Sequence, residues 1–268
     1  MYPSEPIDTK ASTSKTFSFP RMPEFEGDNF TIAWDVGRDD DAIYTYSRTS
    51  TAANLTHEYS DYGEHIIKFS SNVTGINLGN TLERIVNISS RSPNLKKINY
   101  FSYCRNLKSL ELNTLSNITN QQYDCYELTS MYLPDLEVIS NTYAVNCMYN
   151  LREFYAPNLK AITRAVGVFK GNVSLEKIDF PNLTSISHTE VKGYTFMTNV
   201  SLSSAYLPKL VSAMPSEFSY CVNLKETNFS SLSAVENNMF RDCISLKTIS
   251  LPKIKRIGSS AFYRCLNL

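Results

Sequence analysis

The chain has 268 residues, enough for one large domain or two smaller ones, and its 26 basic residues balance its 26 acidic residues. Without a net charge it has no overall field to attract nucleic acid or an anionic membrane, so we expect neither as a partner. No apolar run reaches the roughly 18 residues of a membrane-spanning helix, so we expect no membrane insertion.

Residues 1–24 are rich in Ser, Thr and Pro, which predicts a flexible lead or linker. They lack the apolar core of a secretory signal. Two explanations stay open: a signal has been removed, or the protein reaches its destination by another route.

Residues 25–78 predict a small β-sandwich. The run Phe30–Trp34 alternates apolar and polar residues as a half-buried strand does, and Tyr44 and Tyr46 alternate in a second strand. After a break at Gly63, a further strand is expected through Ile66 and Phe69.

This unit resembles the PKD-like immunoglobulin-type domain, in which a W-D-x-G-D-like turn precedes an H-x-Y-x-x-x-G-x-Y-x-V stretch. The residues that carry the resemblance are Trp34, Asp35, Gly37, His57, Tyr59, Gly63 and Ile67. The turn, WDVGRDD, departs from the glycine-aspartate form. Its carboxylates Asp39, Asp40 and Asp41 are consecutive, a spacing that favours a solvated turn over a calcium loop, so we predict no metal site.

From Val73 onward one pattern recurs, and this self-similarity predicts a solenoid of stacked coils over residues 79–268. Val73–Ile85 is a degenerate first coil, and a shortened second coil starts at Leu95. Regular copies begin at Leu107, Leu128, Leu151, Leu175, Leu202, Leu224 and Leu246. Insertions near Arg164–Val168 and Ser187–Tyr194 are expected in loops on one side of the coils.

Each copy contains L-x-x-I-x-L, usually followed by proline. The period of two predicts a short strand, and the proline ends it because proline has no N–H to give to a ladder. A second short extended segment and an F-x-x-C-x-x-L turn then return the chain to the next copy. The predicted fold class is mainly β.

The copies resemble the BspA-like family of leucine-rich repeats over residues 79–268. The matches to its A-F-x-x-C-x-x-L segment are clearest at Phe240, Cys243, Ala261, Phe262, Cys265 and Leu268. The resemblance implies a right-handed, β-rich, BspA-like leucine-rich repeat solenoid, here preceded by the PKD-like sandwich. It also implies a surface-exposed role in adhesion or recognition.

The six cysteines follow the repeat rather than a disulfide framework. They form two groups with one cysteine per copy, and Asn takes the same place in the copies between them. The positions are Cys104, Cys125, Cys147, Asn172, Asn199, Cys221, Cys243 and Cys265. We expect an interior position with buried thiols that are not disulfide-bonded, and no metal, because no C-x-x-C pair is present.

The sequence predicts no enzyme and no cofactor. His57, His65 and His188 lie in no nucleophile or metal motif, and only nine glycines occur, too few for the glycine-rich loops of nucleotide sites. A hydrolase that uses the aspartates of the N-terminal unit has no supporting pattern.

Candidate binding residues lie on the outward positions of the strands. Coils stacked about 4.8 Å apart align these positions in columns. The predicted ligand-binding residues are Glu111, Tyr132, Tyr155, Asp179 and Tyr206 in one column, and Glu153 and Lys177 in its neighbour. Tyrosine offers contact area with a hydroxyl group at low entropic cost, although it is also a common strand residue.

The leading hypothesis is a non-enzymatic, extracellular or cell-surface protein that binds a protein or carbohydrate partner through this face and the insertion loops. The alternative is a phage virion component, a structural, tail-decoration or receptor-binding protein, because phage parts assemble in a cytosol that keeps thiols reduced.

The sequence stops at Leu268, where the next strand is due. Because a bare terminal coil invites pairing, we expect either self-association or docking at this uncapped repeat, or a natural protein that continues beyond it. Without such a cover, its amides are expected to exchange faster than those of the middle coils.

Overall fold

A computed structural model describes residues 16–19, 22–34, 42–51, 55–58, 67–77, 87–90, 94–95, 97–99, 106–119, 125–188 and 193–268. All regular elements in these ranges are β-strands. In chain order they are β1 (Thr16–Ser18), β2 (Glu24–Phe25), β3 (Asn29–Trp34), β4 (Ala42–Ser47), β5 (Thr56–Glu58), β6 (Lys68–Phe69), β7 (Val73–Asn77), β8 (Asn87–Ser90), β9 (Lys97–Asn99), β10 (Ser109–Leu112), β11 (Asn117–Ile118), β12 (Ser130–Tyr132), β13 (Val138–Ile139), β14 (Glu153–Tyr155), β15 (Ala161–Thr163), β16 (Lys177–Asp179), β17 (Ser185–Ser187), β18 (Ser204–Tyr206), β19 (Glu226–Asn228), β20 (Ala234–Val235) and β21 (Arg256–Ile257).

The N-terminal strands form two antiparallel groups, β4-β3-β6 and β1-β5. The strand predicted at Phe30–Trp34 is β3, and its alternate residues Phe30, Ile32 and Trp34 are buried. Phe19 packs 5.7 Å from Trp34, between ring centroids, and His57 stacks on the same indole at 5.3 Å.

Two predictions concern this unit: the flexible lead and the PKD-like resemblance. Thr16–Phe19, inside the span predicted as a flexible lead, supplies β1 and a buried ring. The PKD-like assignment stays a prediction, because Asp35, Gly37, Tyr59 and Gly63 lie outside the described residues, as do His65 and the carboxylates at 39–41.

Strand β7 connects this unit with the repeats. It pairs antiparallel with β2 and parallel with β9. The N-terminal strands therefore continue directly into the first coil.

The repeats build two parallel sheets. The front sheet has two ladders, β8-β10-β12-β14 and β16-β18-β19. It does not include β9, the strand after Leu95, which pairs with β7 instead of β10, so the copy predicted to start at Leu95 is out of register with those that follow. The back sheet holds the second strand of each coil, β11-β13-β15-β17 and β20-β21, with a bridge from Ser185 to Ser212 between them. The predicted mainly β solenoid of stacked coils is thus confirmed.

Strand β10 shows how the pattern produces the fold. Leu110 and Leu112 are buried between the sheets, while Ser109 and Glu111 point outward. In the next coil, the N–H of Leu133 donates to the carbonyl of Tyr155 at 2.9 Å, and the ladder ends because Pro134 follows.

The third side of each coil, which we call the turn face, is also a ladder. In one step of it, the N–H groups of Phe196 and Thr198 donate to the carbonyls of Glu217 and Ser219 in the next coil, at 2.9 and 3.0 Å. Beneath these bonds one phenylalanine per coil stacks on the next, with centroids 5.1 to 5.5 Å apart and planes within 12°. The stacked rings are Phe169, Phe196, Phe218, Phe240 and Phe262.

The predicted interior position of Cys and Asn is confirmed in most described coils. The thiols of Cys221, Cys243 and Cys265 donate to carbonyls of the preceding coil at 3.0 to 3.2 Å. The amide Nδ2 of Asn172 donates to Val145 at 2.7 Å in the same way. None of the five described cysteines forms a disulfide.

The prediction for Cys147 is wrong in one respect. The buried residue three positions before Leu151 is Met148, and Cys147 is only partly buried, at a positive φ of 54°. Leu151 follows Leu128 by 23 residues but Cys147 follows Cys125 by only 22, so Cys147 lies one position out of register. Cys104 lies outside the described residues.

Candidate functional site

The candidate site lies on the outer face of the front sheet, where strand register aligns the predicted columns. Glu111, Tyr132 and Tyr155 are opposite one another in β10, β12 and β14. Ser109, Ser130 and Glu153 form the neighbouring column.

Tyr132 and Tyr155 form a parallel stack with ring centroids 4.6 Å apart and planes 2° from parallel. The spacing follows from the distance between adjacent strands, because both side chains leave the sheet at the same register. The rings remain 42% and 47% exposed. They therefore form an aromatic ridge on the surface.

An open groove of about 560 Å³ surrounds this ridge. It is lined by Glu111, Asn113, Ser130, Met131, Tyr132, Glu153 and Tyr155. Met131 is buried, and the other lining residues present hydroxyl, amide and carboxylate groups. Four of the seven predicted site residues thus meet in one groove.

The other three predicted residues lie on the second ladder of the front sheet. Lys177 and Asp179 form an ion pair, Nζ to Oδ2, at 3.0 Å, and Tyr206 is opposite Asp179 in β18 and 43% exposed. Since both charged side chains are largely exposed, this pair stabilises the fold little.

The column is interrupted between β14 and β16, which belong to separate ladders. Phe154 lies edge-on to Phe180 at this boundary, with ring centroids 6.0 Å apart. At the repeat position of Phe154, the adjacent coils carry Met131 and Ile178. Bulky ring packing therefore holds these coils together at a place where the strand ladder is broken.

The residues that the structure describes hold no group of three His, Cys, Asp or Glu side chains able to bind a metal ion. They also hold no helix with the length and apolar character needed to span a bilayer.

The model of the BspA-type leucine-rich repeat region matches residues 86–166 and 165–268, in six copies. The chain belongs to the BspA-type leucine-rich repeat family. Members of this family are generally surface or protein-interaction proteins.

Three solved structures resemble this BspA-type chain. The T. pallidum leucine-rich repeat protein TpLRR is 16% identical, with 73% of this chain and 78% of that one covered and a TM-score of 0.45. A leucine-rich repeat protein from Bacteroides ovatus is 17% identical, with 74% and 78% covered and a TM-score of 0.33. The pneumococcal vaccine antigen PcpA is 17% identical, with 69% and 58% covered and a TM-score of 0.24.

A comparison with curated proteins found no significant match. The comparisons give no support to the phage alternative.

The BspA-type coils also contain a buried acid that sequence reasoning missed. Glu217 is fully buried, and its carboxylate accepts hydrogen bonds from the N–H groups of Thr195 at 2.9 Å and Met214 at 3.2 Å. Burial raises the pKa of Glu217 from 4.5 to about 8, against the opposing effect of these hydrogen bonds. The signal that could have found it is a lone acid directly before the repeat phenylalanine, where Thr195 and Met239 stand in adjacent copies.

A second charged group that was not predicted from the sequence lies on the turn face. Asp242 is buried and accepts from Arg241 and Arg264, with Nε to carboxylate distances of 3.2 Å in both pairs. Arg241 also lies 4.9 Å from the centroid of the Tyr263 ring. These contacts connect the last two copies. They belong to the turn face and not to the front-sheet groove.

Proposed function

We propose that this BspA-type chain is a non-enzymatic recognition protein that acts outside the cell or on the cell surface. Its front sheet binds a protein or glycan partner, and the insertion loops near residues 164–168 and 187–194 contribute to the same interaction. The observation that carries the proposal is the exposed Tyr132–Tyr155 stack within an open, polar groove.

The stack is suited to binding because each ring limits the rotamers open to the other before a partner arrives. Two tyrosines held against each other lose little side-chain entropy on association, and each presents apolar ring surface with a hydroxyl group. Aromatic residues at the centre of an interface contribute more affinity than their number suggests. Tyr206 extends the aromatic character of the face to the second ladder.

In this proposal the N-terminal unit is a cap and spacer. The pairing of β2 with β7, and of β7 with β9, supports that role, since it covers the edge of the first coil. The sandwich at residues 25–78, joined by β1 from the predicted lead at residues 1–24, and the repeats at residues 79–268 then act as successive parts.

The test is binding of labelled protein to an array of extracellular-matrix proteins and glycans. Alanine at Tyr132, Tyr155 and Tyr206 together should reduce the signal of whatever partner the wild type binds by at least about tenfold. The matched control is alanine at Tyr149, Tyr220 and Tyr263, which are similarly exposed but lie away from the front sheet. Equal binding by both triple variants, at unchanged melting temperature, would rule out the front sheet.

A further inference from the structure

Opposite charges are segregated to the two ends of the repeat array. With histidine neutral, residues 25–78 contain nine acidic and three basic residues, a net charge of −6. The last copy, residues 246–268, contains five basic residues and no acidic residue, a net charge of +5. Residues 79–245, between these two segments, carry a net charge of only +1. The neutral chain is therefore strongly polarised along its length.

The two charged segments lie at opposite ends of the stack of coils. Strand β2 is the outermost strand of the sheet β2-β7-β9 at the start of the array, and β20-β21 is the last ladder. At about 4.8 Å per coil, the six steps from the copy at Leu107 to the copy at Leu246 span about 30 Å. This distance exceeds the Debye length of about 8 Å at physiological salt, so the two ends of one chain do not neutralise each other.

Three of the five basic side chains in the last copy remain available to a partner. Arg256 is paired with Glu236, and Arg264 is paired with Asp242, both of which are acids of the preceding copy. The other three side chains are exposed, and none of the ion pairs among the described residues involves them. They are Lys247, Lys253 and Lys255.

These lysines lie on different sides of the last coil. Lys247 occupies the repeat position of Lys225, which directly precedes the front strand β19. Lys255 directly precedes β21 of the back sheet, and Lys253 follows Pro252, between the front and back segments. The positive charge is therefore spread around the rim of the coil rather than concentrated in a pocket, so it fits a broad acidic surface.

The other end of the array presents exposed carboxylates. Glu26 and Asp28 follow β2, and Glu58 ends β5. All three side chains are exposed and take part in none of the ion pairs among the described residues. The neighbouring Arg48 donates to the backbone carbonyl of Gly27 at 3.1 Å rather than to a carboxylate. The N-terminal unit therefore has an acidic surface of its own.

We propose that copies of this chain bind head to tail, with the basic last copy of one chain against the acidic N-terminal unit of the next. Charge complementarity between the two ends selects a second copy as the occupant of the basic surface. Because two different surfaces meet, the contact is heterologous, and the assembly either grows into a filament or closes into a ring. Single exposed ion pairs contribute little, so the contact depends on several pairs together and weakens as salt is added.

An unrelated acidic macromolecule would use only half of this arrangement. It would meet the basic surface and leave the acidic end without a role, whereas a second copy uses both ends, whose net charges of −6 and +5 nearly cancel. Binding of an acidic polymer in place of the chain itself is therefore the competing outcome of the test.

The experiment measures the mass of the full chain by sedimentation velocity over a series of protein concentrations. At about 20 mM salt the mean mass should rise with concentration, and at about 500 mM salt the chain should be monomeric. Poly-L-glutamate is added in a parallel series as the acidic probe.

Two charge-reversed variants decide the assignment. The tail variant reverses the three available lysines of the last copy, and the head variant reverses the three exposed acids of the N-terminal unit. The substitutions are Lys247→Glu, Lys253→Glu and Lys255→Glu in the tail variant, and Glu26→Lys, Asp28→Lys and Glu58→Lys in the head variant. Each variant alone should self-associate at least about tenfold more weakly than the wild type, because one of its two contact surfaces has lost its charge.

An equimolar mixture of the two variants should form a 1:1 dimer and no larger species. The intact acidic end of the tail variant still binds the intact basic end of the head variant, but the two altered ends no longer fit a further copy. The control variant reverses three exposed bases of the middle coils, Lys108, Arg152 and Lys209, and changes the net charge equally. It should self-associate within about threefold of the wild type. Equal melting temperatures show that all three variants are folded.

Three outcomes overturn the assignment: a wild type that stays monomeric at low salt, a control variant that loses association as fully as the tail variant, or a mixture that forms no dimer. Binding of poly-L-glutamate without self-association would also overturn it and assign the basic surface to a different acidic partner. None of the altered residues lines the front-sheet groove, so these outcomes are independent of the proposed function.

Discussion

The N–H of Thr195 donates to the carboxylate of Glu217 in the adjacent coil at 2.9 Å, inside a fully buried region of the solenoid. The same carboxylate accepts from the N–H of Met214 at 3.2 Å. Glu217 thus connects Thr195, at the end of the longest insertion, with Met214, just before the next turn. This arrangement makes the stability of the coil dependent on pH.

Stability should fall as pH rises from 4.5 to about 8, because over that range Glu217 is ionised in the unfolded chain but still protonated in the folded one. Below this range the group is neutral in both states, and above it the penalty is constant. Relative to Glu217→Gln, the wild type should lose up to about 1.4 kcal/mol of unfolding free energy per pH unit. Melting temperatures of both proteins at pH 5, 7 and 9 measure this, and Glu217→Gln should be the more stable at pH 9. Parallel pH profiles would contradict the prediction.

Phe218 should be a principal stabilising residue of the array, because its ring lies between those of Phe196 and Phe240 at 5.1 and 5.5 Å. Phe218→Ala should cost about 3–5 kcal/mol, measured by urea denaturation. Tyr220→Ala, two residues away but exposed, should cost less than about 1 kcal/mol. A similar cost for the two variants would show that the ring stack contributes little.

Regular alternation explains what the sequence could predict about the site. Once L-x-x-I-x-L is a strand, residues such as Glu111 and Tyr132 must face outward, and a fixed distance between coils aligns them. The stacking of Tyr132 on Tyr155 follows from that register. The break in the column between β14 and β16 does not follow from that register, because the L-x-x-I-x-L pattern continues through both copies.

The turn face was less predictable, because its residue types do not indicate its backbone conformation. Tyr143, Thr198 and Asp242 adopt positive φ values of 52° to 61°, a region where glycine or asparagine would be expected. The stacked ladder holds these residues there through hydrogen bonds to the next coil. Counting the repeat period therefore placed Cys147 inside, and the one sign of a buried Glu217 was its place directly before the repeat phenylalanine Phe218.

Gly193 is required by a close contact rather than by an unusual φ. A Cβ at this position would lie 2.1 Å from the carbonyl oxygen of Pro215, so the backbone of one coil would have to move. Gly193→Ala should therefore cost at least about 2 kcal/mol. Gly27→Ala is the matched control: Gly27 has a φ of +82° but open space around it, and should cost about 1 kcal/mol. Thermal denaturation of the two variants compares them, and equal losses would contradict the steric explanation.

Cys147 should be alkylated well before Cys221 and Cys243 in the native protein. It is partly exposed, whereas the other two thiols are buried and donate to the carbonyls of Phe196 and Phe218. Burial also raises the pKa of Cys221 to about 12 and that of Cys243 further, so neither forms the reactive thiolate near neutral pH. Mass spectrometry of peptides after brief treatment with iodoacetamide at pH 8 gives the order of modification, and treatment in urea, where all three should react alike, is the control. If Cys221 reacted as fast as Cys147 without urea, the interior position assigned to it would be wrong.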